Sequence, residues 1–533
     1  MAPRPAMVMG IETEYGIYAR KRLFPYSESE YIKILDASND EITKAVRSDI
    51  GCMGRQLEID KEVRIPTFQH LANGGRFYID CKHPEMATPE CPTPRDVVIW
   101  DSAGERIVYE AAQRASKRLH YEVTIVKKLT DGLNHTWGCH ENYCVNPQFF
   151  SRIVKEDEVA SEQRTLATWL AVRQLLVGAG KIGSDNGRNP SAPSVFQLSQ
   201  RSDFIVAYRG VETTSQRPLI QVRDEPHANS NEWKRLHVIC GDANLCQWST
   251  YLKMSLTGLL LLMWQDRSLK HRPPLPVVWR SSHHDAMHFI SNESDLVARY
   301  PVRVLPGRGQ LGGIKHMTAA EILSFYVDAM AWYAHERSWS SPAEASAYQV
   351  AAEKAQWMAS FLRAGDWQSL YGWLDWPTKR GIVQEYLRRK GKTWLDVLQD
   401  EELFSRVRIF GDQVYTTLDP NVSFYQRLLN EGVIRTVVKG SEIARAVLHP
   451  PTGRASQRSL AVEAYPTFLR DGSWSTLLFQ QPPFKLSLTL NDPMGVPDEQ
   501  FRAILDASPT PVDLYERLKT HPLPHVHMKR EEG

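Results

Sequence analysis

The sequence predicts an α+β protein that consists of one large domain and one small domain. Near the N-terminus, and again after about residue 447, polar and apolar residues alternate with a period of two, which is typical of β-strands. Residues 318–403 show a mostly helical pattern instead. The length of 533 residues exceeds one average domain but suits a large domain with a small one attached.

The composition is that of an ordinary globular chain without a strong charge. Hydrophobic residues make up 42% and charged residues 24%, and the net charge of +2 offers little attraction for nucleic acid or a membrane surface. The most apolar run, residues 256–264, is too short to cross a bilayer. Seven scattered cysteines and an N-terminus without a signal-peptide pattern favour a cytoplasmic location. We therefore expect a cytoplasmic protein with no nucleic-acid or membrane partner.

The first predicted strand carries two carboxylates on one face. In MVMGIETEYG, Glu12 and Glu14 are two residues apart, and their immediate neighbours are mostly apolar. Carboxylates on one face repel each other unless a cation lies between them, and ligands that are all oxygen suit Mg²⁺ rather than zinc. The alternative is a half-exposed strand with ordinary surface acids.

A second strand, in the segment NGGRFYID, repeats this design. Arg76, Tyr78 and Asp80 share one face, and the two apolar residues between them take the other. Glu85 and Thr88 follow in what we expect to be a loop just beyond the strand. A guanidinium, a phenol and a carboxylate in register predict either a solvated strand face or the lining of a cleft.

The remaining elements follow from local patterns. Residues 19–72 form a long polar insertion of the kind that often serves as a lid or binding loop. A helix is predicted over 94–120 from the apolar stripe of Trp100, Ile107, Ala111 and Ala115, and a strand over 121–127. The segment GCHENYCV places His140, Glu141 and Asn142 between apolar neighbours.

Further along, residues 161–178 read as a helix that ends at a Gly-Ala-Gly cap. Strand-like segments follow at 194–198, 204–208, 219–222 and 236–240, and a buried helix is predicted over 245–264. Residues 474–479 form the clearest strand of the last section. Because neither GxxxxGK[ST] nor a strand-linked GxGxxG is present, any nucleotide must be held by a different kind of cradle.

Seven motifs occur in order along the chain, namely GIETEYG, NGGRFYID with HPEMATPEC, WDSAGER, GCHENY, LSQR, RDEPHA and RLHVICGDAN. In this order they resemble the motifs of the Pup ligase and depupylase family, which belongs to the carboxylate–amine ligases related to glutamine synthetase. The resemblance implies a glutamine synthetase-like domain at 1–444, with a curved antiparallel sheet backed by helices and with ATP and Mg²⁺ on its concave face. A small C-terminal domain at 445–533 would pack against the rim.

The resemblance also implies roles for individual residues. Glu12, Tyr78 and Glu85 match metal ligands, and Glu14 joins them as a candidate from its position beside Glu12. Asp80 matches the catalytic carboxylate.

Other matches concern the nucleotide. Arg76 and Thr88 match ATP contacts, and Trp474 matches a C-terminal tryptophan that touches the nucleotide. Arg223 and Arg454 are further candidates for binding phosphate or a substrate carboxylate, with structural ion pairs as the alternative. Phe77 replaces a leucine that is frequent in the family, but on the core face, where it should be tolerated.

The family contains both ligases and depupylases, and the two differ only in surrounding segments. VVIWDSAGER, FQLSQRSDF, GVETT, GDANL with STYLK, and LDWPTK favour a depupylase, whereas GIETE and Cys139 in GCHENY favour a ligase. We favour an ATP- and Mg²⁺-dependent depupylase that cleaves the isopeptide bond between a Pup-like modifier and a substrate lysine. It would also deamidate a C-terminal glutamine of the modifier.

The alternative is a Pup–protein ligase that phosphorylates the modifier's terminal glutamate and joins it to a lysine. In either case the partners are a Pup-like modifier and pupylated proteins. A ligase of free glutamate and a non-catalytic modifier-binding protein are more distant alternatives, and the complete set of candidate ligands together with Asp80 argues against the latter.

Overall fold

The computed structural model describes residues 5–21, 70–80, 83–119, 121–155, 161–185, 195–269, 272–278, 283–304 and 313–531. Most of the predicted insertion at 19–72 lies outside these ranges.

The strands of the described ranges are β1 (Met9–Glu14), β2 (Gly16–Lys21), β3 (Arg76–Asp80), β4 (His83–Ala87), β5 (Tyr121–Val126), β6 (Cys139–Val145), β7 (Lys181–Ile182), β8 (Phe196–Gln197), β9 (Ala207–Gly210), β10 (Pro218–Gln221), β11 (Lys234–Val238), β12 (Pro276–Val278), β13 (Arg299–Val304), β14 (Ile314–Thr318), β15 (Leu469–Gly472), β16 (Thr476–Gln481), β17 (Phe484–Leu490) and β18 (Val526–Glu531).

The α-helices of the same ranges are α1 (Pro94–Leu119), α2 (Pro147–Val154), α3 (Ser161–Val172), α4 (Gln174–Val177), α5 (Gln247–Gln265), α6 (His283–Asn292), α7 (Ala319–Glu336), α8 (Pro342–Arg363), α9 (Asp375–Arg389), α10 (Trp394–Gln399), α11 (Glu401–Arg408), α12 (Phe424–Asn430), α13 (Gly440–Ala446), α14 (Arg454–Ala464), α15 (Asp498–Asp506) and α16 (Pro511–Thr520).

The functional part of the fold is a five-stranded antiparallel sheet in the order β11–β6–β1–β4–β3. Its register places Glu12 opposite His140 on one side and Ala87 on the other, and it places Glu14 opposite Glu85. Since directly paired residues point to the same face, the candidate site residues of β1, β3 and β4 all project from one side.

The other face of this sheet is buried against helices. Ile11, Phe77, Met86 and Tyr143 are at most 3% exposed, and α1 and α5 pack behind the strands that carry them. In α5 every residue from Gln247 to Met263 is buried, which confirms the predicted buried helix. The α+β class, with an antiparallel sheet that helices back on one face, is confirmed.

The C-terminal section forms a second antiparallel sheet in the order β15–β16–β17–β18. Together with α14, α15 and α16 it encloses its own hydrophobic cluster, which includes Leu477, Leu488, Phe501 and Leu514. A separate cluster is what a small C-terminal domain needs, and the boundary at residue 445 stays a prediction. No helix in the described ranges has both the length and the hydrophobicity needed to span a bilayer.

Several local predictions need correction. Glu85 lies within β4 rather than in a loop, because β4 is paired on both sides, with β1 and β3, despite the proline at position 84. The predicted strand at 204–208 is instead a 3-10 turn, Ser202–Phe204, followed by β9. The predicted helix at 161–178 is divided into α3 and α4, and Trp474 precedes β16 by two residues.

Candidate active site

Three carboxylates from three strands meet on the polar face of the central sheet. Oxygen atoms of Glu14, Asp80 and Glu85 all lie within 4.8 Å of one another. Glu14 and Glu85 are buried, whereas Asp80 is exposed at the end of β3. Burial and the nearby charges of Glu12 and Glu14 raise the pKa of Glu85 well above its usual value. Only a bound cation or protonation relieves such crowding.

Tyr78 supports this carboxylate cluster from β3. Its hydroxyl donates a hydrogen bond of 2.5 Å to Glu85 Oε1. Burial and the charges of Glu12 and Glu85 raise the pKa of Tyr78 well above its ordinary value, so the phenol stays protonated and acts as a donor. In this arrangement Tyr78 orients a candidate ligand.

Glu12 faces a different set of groups. One of its oxygens and nitrogen atoms of His140 and His237 lie within 4.8 Å of one another. Burial would raise the pKa of Glu12, but its contact with His140 and the charge of Arg235 outweigh burial and hold that pKa well below its usual value. Asn142 also donates to Glu12, at 3.2 Å.

His237 and Arg235 were not predicted, and His140 and Asn142 were predicted without a role. The available signal was the period of two in a strand, which places His140 with Asn142 and Arg235 with His237. Glu141, which lies between His140 and Asn142 in the sequence, points to the opposite face of β6. It forms a buried ion pair with Arg173 at 2.6 Å.

The start of β6 approaches Glu14 so closely that only glycine fits. A Cβ at Gly138 would lie 2.8 Å from Glu14 Oε1 and 2.2 Å from His140 Nε2, and the Gly138 carbonyl accepts the Glu14 amide at 3.0 Å. A larger residue at position 138 would therefore displace the Glu14 carboxylate or the His140 ring.

An aromatic ring from the C-terminal section reaches the edge of this face. The Trp474 ring lies close to two guanidinium groups, with Arg76 at 5.3 Å and Arg458 at 5.2 Å from its centroid. Arg458 donates to the Trp474 carbonyl at 2.7 Å and to both oxygens of Glu90 at 2.8 Å. Glu90 and Arg458 were not predicted, because their partners are distant in sequence.

A pocket of about 630 Å³, including its mouth, opens beside Glu12. Among the predicted residues, Glu12, Thr88, Arg454 and Trp474 line it. The Thr88 hydroxyl accepts a hydrogen bond from the Ile11 amide at 3.0 Å, and this bond connects the end of β4 to β1.

The two arginines with weaker matches have different environments. Arg454 is 4% exposed in its side chain, and it pairs with Glu90 at 2.7 Å and donates to the His227 carbonyl at 2.6 Å. This contact corresponds to the structural ion-pair alternative. Arg223 is 42% exposed and lies 4.0 Å from Glu225. A nucleotide or substrate role for either arginine stays a prediction.

The carboxylate cluster fits Mg²⁺ by its chemistry. Its ligands are all oxygen, they come from separate rigid strands, and their crowding requires positive charge. Glu14 and Glu85 would hold the ion, with Asp80 beside it. Glu12 and its two histidines form a second group that could hold a cation.

Replacing Tyr78 with Phe should weaken metal binding while leaving the fold intact. The change removes the hydroxyl that orients Glu85, and loss of such a supporting contact typically costs about 10–100-fold in metal affinity. Isothermal titration with Mn²⁺ would measure the affinity. The control is Tyr109→Phe, because the Tyr109 hydroxyl lies outside the central sheet and donates to Asp419 at 3.4 Å. Equal affinity in the wild type and both variants would contradict this support role.

Comparisons with known proteins identify the family of this chain. A family model described as Pup-ligase protein matches residues 7–478. The depupylase of Acidothermus cellulolyticus is 30% identical over 507 residues, which cover 89% of this chain and 91% of that protein. The Pup–protein ligase of Acidimicrobium ferrooxidans is 30% identical over 515 residues, which cover 93% and 98% of the two chains.

Two solved structures share the fold. The ligase PafA in complex with the prokaryotic ubiquitin-like protein Pup gives a TM-score of 0.72 at 25% identity and covers 95% of this chain and 93% of its own. PafA in complex with ADP gives 0.67 at 24% identity, with coverage of 83% and 90%. Since the family model spans most of the described sheet and the helices behind it, this chain belongs to the Pup-ligase protein family.

Proposed function

We propose that this chain is an ATP- and Mg²⁺-dependent depupylase, which hydrolyses the isopeptide bond between a Pup-like modifier and a substrate lysine. It would also deamidate a modifier that ends in glutamine. The observation that carries this proposal is the exposed carboxylate of Asp80 at a strand end, within 4.8 Å of two buried carboxylates that fit Mg²⁺.

The nucleotide would bind along the edge where Trp474 and Arg76 meet. A guanidinium can grip a phosphate group with two parallel hydrogen bonds, and an aromatic ring can pack against a base or a neighbouring arginine. Thr88 lies on the wall of the adjoining pocket. Bound Mg²⁺ would offset the charge of the phosphate groups and polarise oxygen atoms near it.

Asp80 is the group that we assign to the reaction itself. An ionised carboxylate can attack the amide carbonyl or take a proton from the attacking water. In either case one water is consumed. Its hydroxyl ends on the modifier's carbonyl carbon, and its hydrogen ends on the departing lysine amine.

The ligase is the second candidate, and the likeness to the Acidimicrobium protein over nearly its whole length favours it. A ligase would transfer phosphate from ATP to the modifier's terminal glutamate and then let a lysine attack. Asp80 would accept the proton from that lysine. We prefer the depupylase because the segments VVIWDSAGER, GDANL and LDWPTK resemble those of depupylases.

One incubation separates the two reactions. Purified protein is mixed with ATP, Mg²⁺ and a modifier–protein conjugate, and in parallel with free modifier ending in glutamate and a lysine-bearing protein. We expect release of free modifier in the first mixture without stoichiometric ADP formation. Conjugation in the second mixture with one ADP per bond, and no release in the first, would assign the ligase activity instead.

A further inference from the structure

A second cavity lies beside the loop that follows β5, outside the polar face of the central sheet. It is enclosed by that loop, by β7 and the turn after it, and by the end of α11 with the π-helical turn Ile409–Val414. With its mouth it measures about 380 Å³. Six charged side chains line it, namely Lys128, Asp131, Lys181, Asp185, Arg408 and Asp412.

The three carboxylates of this cavity already have partners in the fold. Asp131 accepts three hydrogen bonds from the turn that follows it, at 2.6–3.2 Å. Asp185 pairs with Lys181 at 2.9 Å, and Asp412 pairs with Lys379 at 3.3 Å. Each of these carboxylates therefore has hydrogen-bond partners in the fold, and Lys181 also pairs with Asp203, at 2.6 Å.

The other two cations of the cavity, Lys128 and Arg408, have different contacts. The Lys128 ammonium, in a residue only 5% exposed, forms no ion pair with any residue in the described ranges, and it lies 5.7 Å from the centroid of the Tyr18 ring. The Tyr18 hydroxyl is also buried without a hydrogen-bond partner there. Arg408 donates to the Gly132 carbonyl at 3.0 Å and lies 5.8 Å from the Phe404 ring.

A buried ammonium without a counter-ion is costly, so its presence in a cavity wall requires a reason. Burial and the charge of Arg408 lower the pKa of Lys128, and the charges of Asp412, Asp131 and Asp185 oppose this shift without forming an ion pair with it. A ligand carboxylate would supply an ion-pair partner at close range, and an ammonium, a guanidinium and a phenol together offer the donors that a carboxylate accepts. We propose that this cavity binds a carboxylate between Lys128 and Arg408.

The charges of the cavity residue Asp131 and of Asp80 act on the same histidine. This histidine, His83, is paired with Asp80 across β3 and β4. If the proposed function holds, the modifier's last residue reacts through its side chain and keeps a free α-carboxylate. The cavity could therefore bind either of two ligands that carry a carboxylate, the α-carboxylate of the modifier or a free small carboxylic acid.

The first test measures binding without catalysis. The melting temperature of the full chain is recorded with N-acetyl-L-glutamine and with its uncharged C-terminal amide at equal ionic strength. We expect the acid alone to raise the wild-type melting temperature by about 2–4 °C at saturating concentration. Lys128→Met should abolish this rise, whereas Lys390→Met, which alters an exposed lysine at a helix end, should retain it.

The same measurement separates binding from a purely structural role. Lys128→Met removes a buried charge that has no ion pair and keeps a side chain of similar length. Without ligand, the melting temperature of the variant should therefore be no lower than that of the wild type. A lower melting temperature in the presence and absence of the acid alike would assign Lys128 to the fold and overturn the proposal. So would a wild type that responds equally to the acid and the amide.

A second test identifies the source of the carboxylate. Conjugates are prepared whose modifier ends in an α-carboxylate or in an α-carboxamide. If the cavity takes the modifier's end, the wild type should process the carboxamide at least about tenfold less efficiently, and Lys128→Met should not discriminate. If the wild type processes both conjugates equally and the acid still raises its melting temperature, the cavity binds a free carboxylic acid. No turnover of either conjugate, with the shift intact, would contradict the proposed function but not this site.

Discussion

Replacing Asp80 with Asn should leave a folded protein that binds nucleotide but neither cleaves nor joins the modifier. The carboxamide keeps the shape of the side chain and removes its charge and basic oxygen. If Asp80 is the nucleophile or the base, the rate should fall about a hundredfold or more. The stability should change by no more than about 0.5 kcal/mol, since Asp80 is exposed at a strand end.

Loss of activity in Asp80→Asn has two possible causes in this structure. Asp80 is close to Glu14 and Glu85, so lost activity can also follow from lost metal. Titrating ADP in the presence of Mg²⁺, together with Mn²⁺ affinity, separates these causes, and Asp506→Asn on an exposed helix end serves as control. Near-normal turnover by the Asn variant would refute the assignment of Asp80.

Replacing Glu90 with Gln should destabilise the protein by about 3–5 kcal/mol at neutral pH. The side chain is 10% exposed and accepts hydrogen bonds from Arg454 at 2.7 Å and from Arg458 at 2.8 Å. Removing its charge leaves two buried guanidinium groups without their common counter-ion, and breaking a buried pair in this way typically costs that amount. Urea unfolding measures the change.

A matched control is available in the pair of Glu442 with Arg95. It has the same two-pronged geometry, with both distances at 2.8 Å, but its side chains are 32% and 37% exposed. Glu442→Gln should therefore cost at most about 1 kcal/mol, because water screens the charges. Since Arg458 also holds the Trp474 carbonyl, Glu90→Gln should weaken ADP binding, whereas Glu442→Gln should not.

The effect of Glu90 should depend on pH in a defined direction. Burial would raise the pKa of Glu90, but the charges of Arg458 and Arg454 outweigh it and lower that pKa from 4.5 to about 2. The contribution, about 3 kcal/mol for a shift of about 2.5 units, is complete above pH 4.5 and is lost as the pH falls towards 2. The gap between wild type and Glu90→Gln should narrow over this range, and a constant gap would contradict the assignment.

Local sequence determined which side chains share a face. A strand has a period of two, so Glu12 with Glu14, and Arg76 with Tyr78 and Asp80, follow from spacing alone. The same rule applied to β6 would have added His140 and Asn142. The ordered motifs also determined the family, since many short matches in one order are far more specific than any single one.

Only the tertiary structure decided how these faces combine. The order of strands places β4 between β1 and β3, and this turns Glu85 from an expected loop residue into the direct neighbour of Glu14 and Tyr78. No periodicity within β4 reveals its partners, because register is set by pairing between segments that are distant along the chain.

The same limit applies to the C-terminal section. Arg454 and Arg458 were visible in the sequence, but their common partner Glu90 lies more than 360 residues earlier, and Trp474 gains its position from Arg458. The cavity at Lys128 likewise joins three segments. Local sequence determines the faces of single strands, whereas charge balance depends on which distant groups are buried together, and only the folded chain brings those groups within reach of one another.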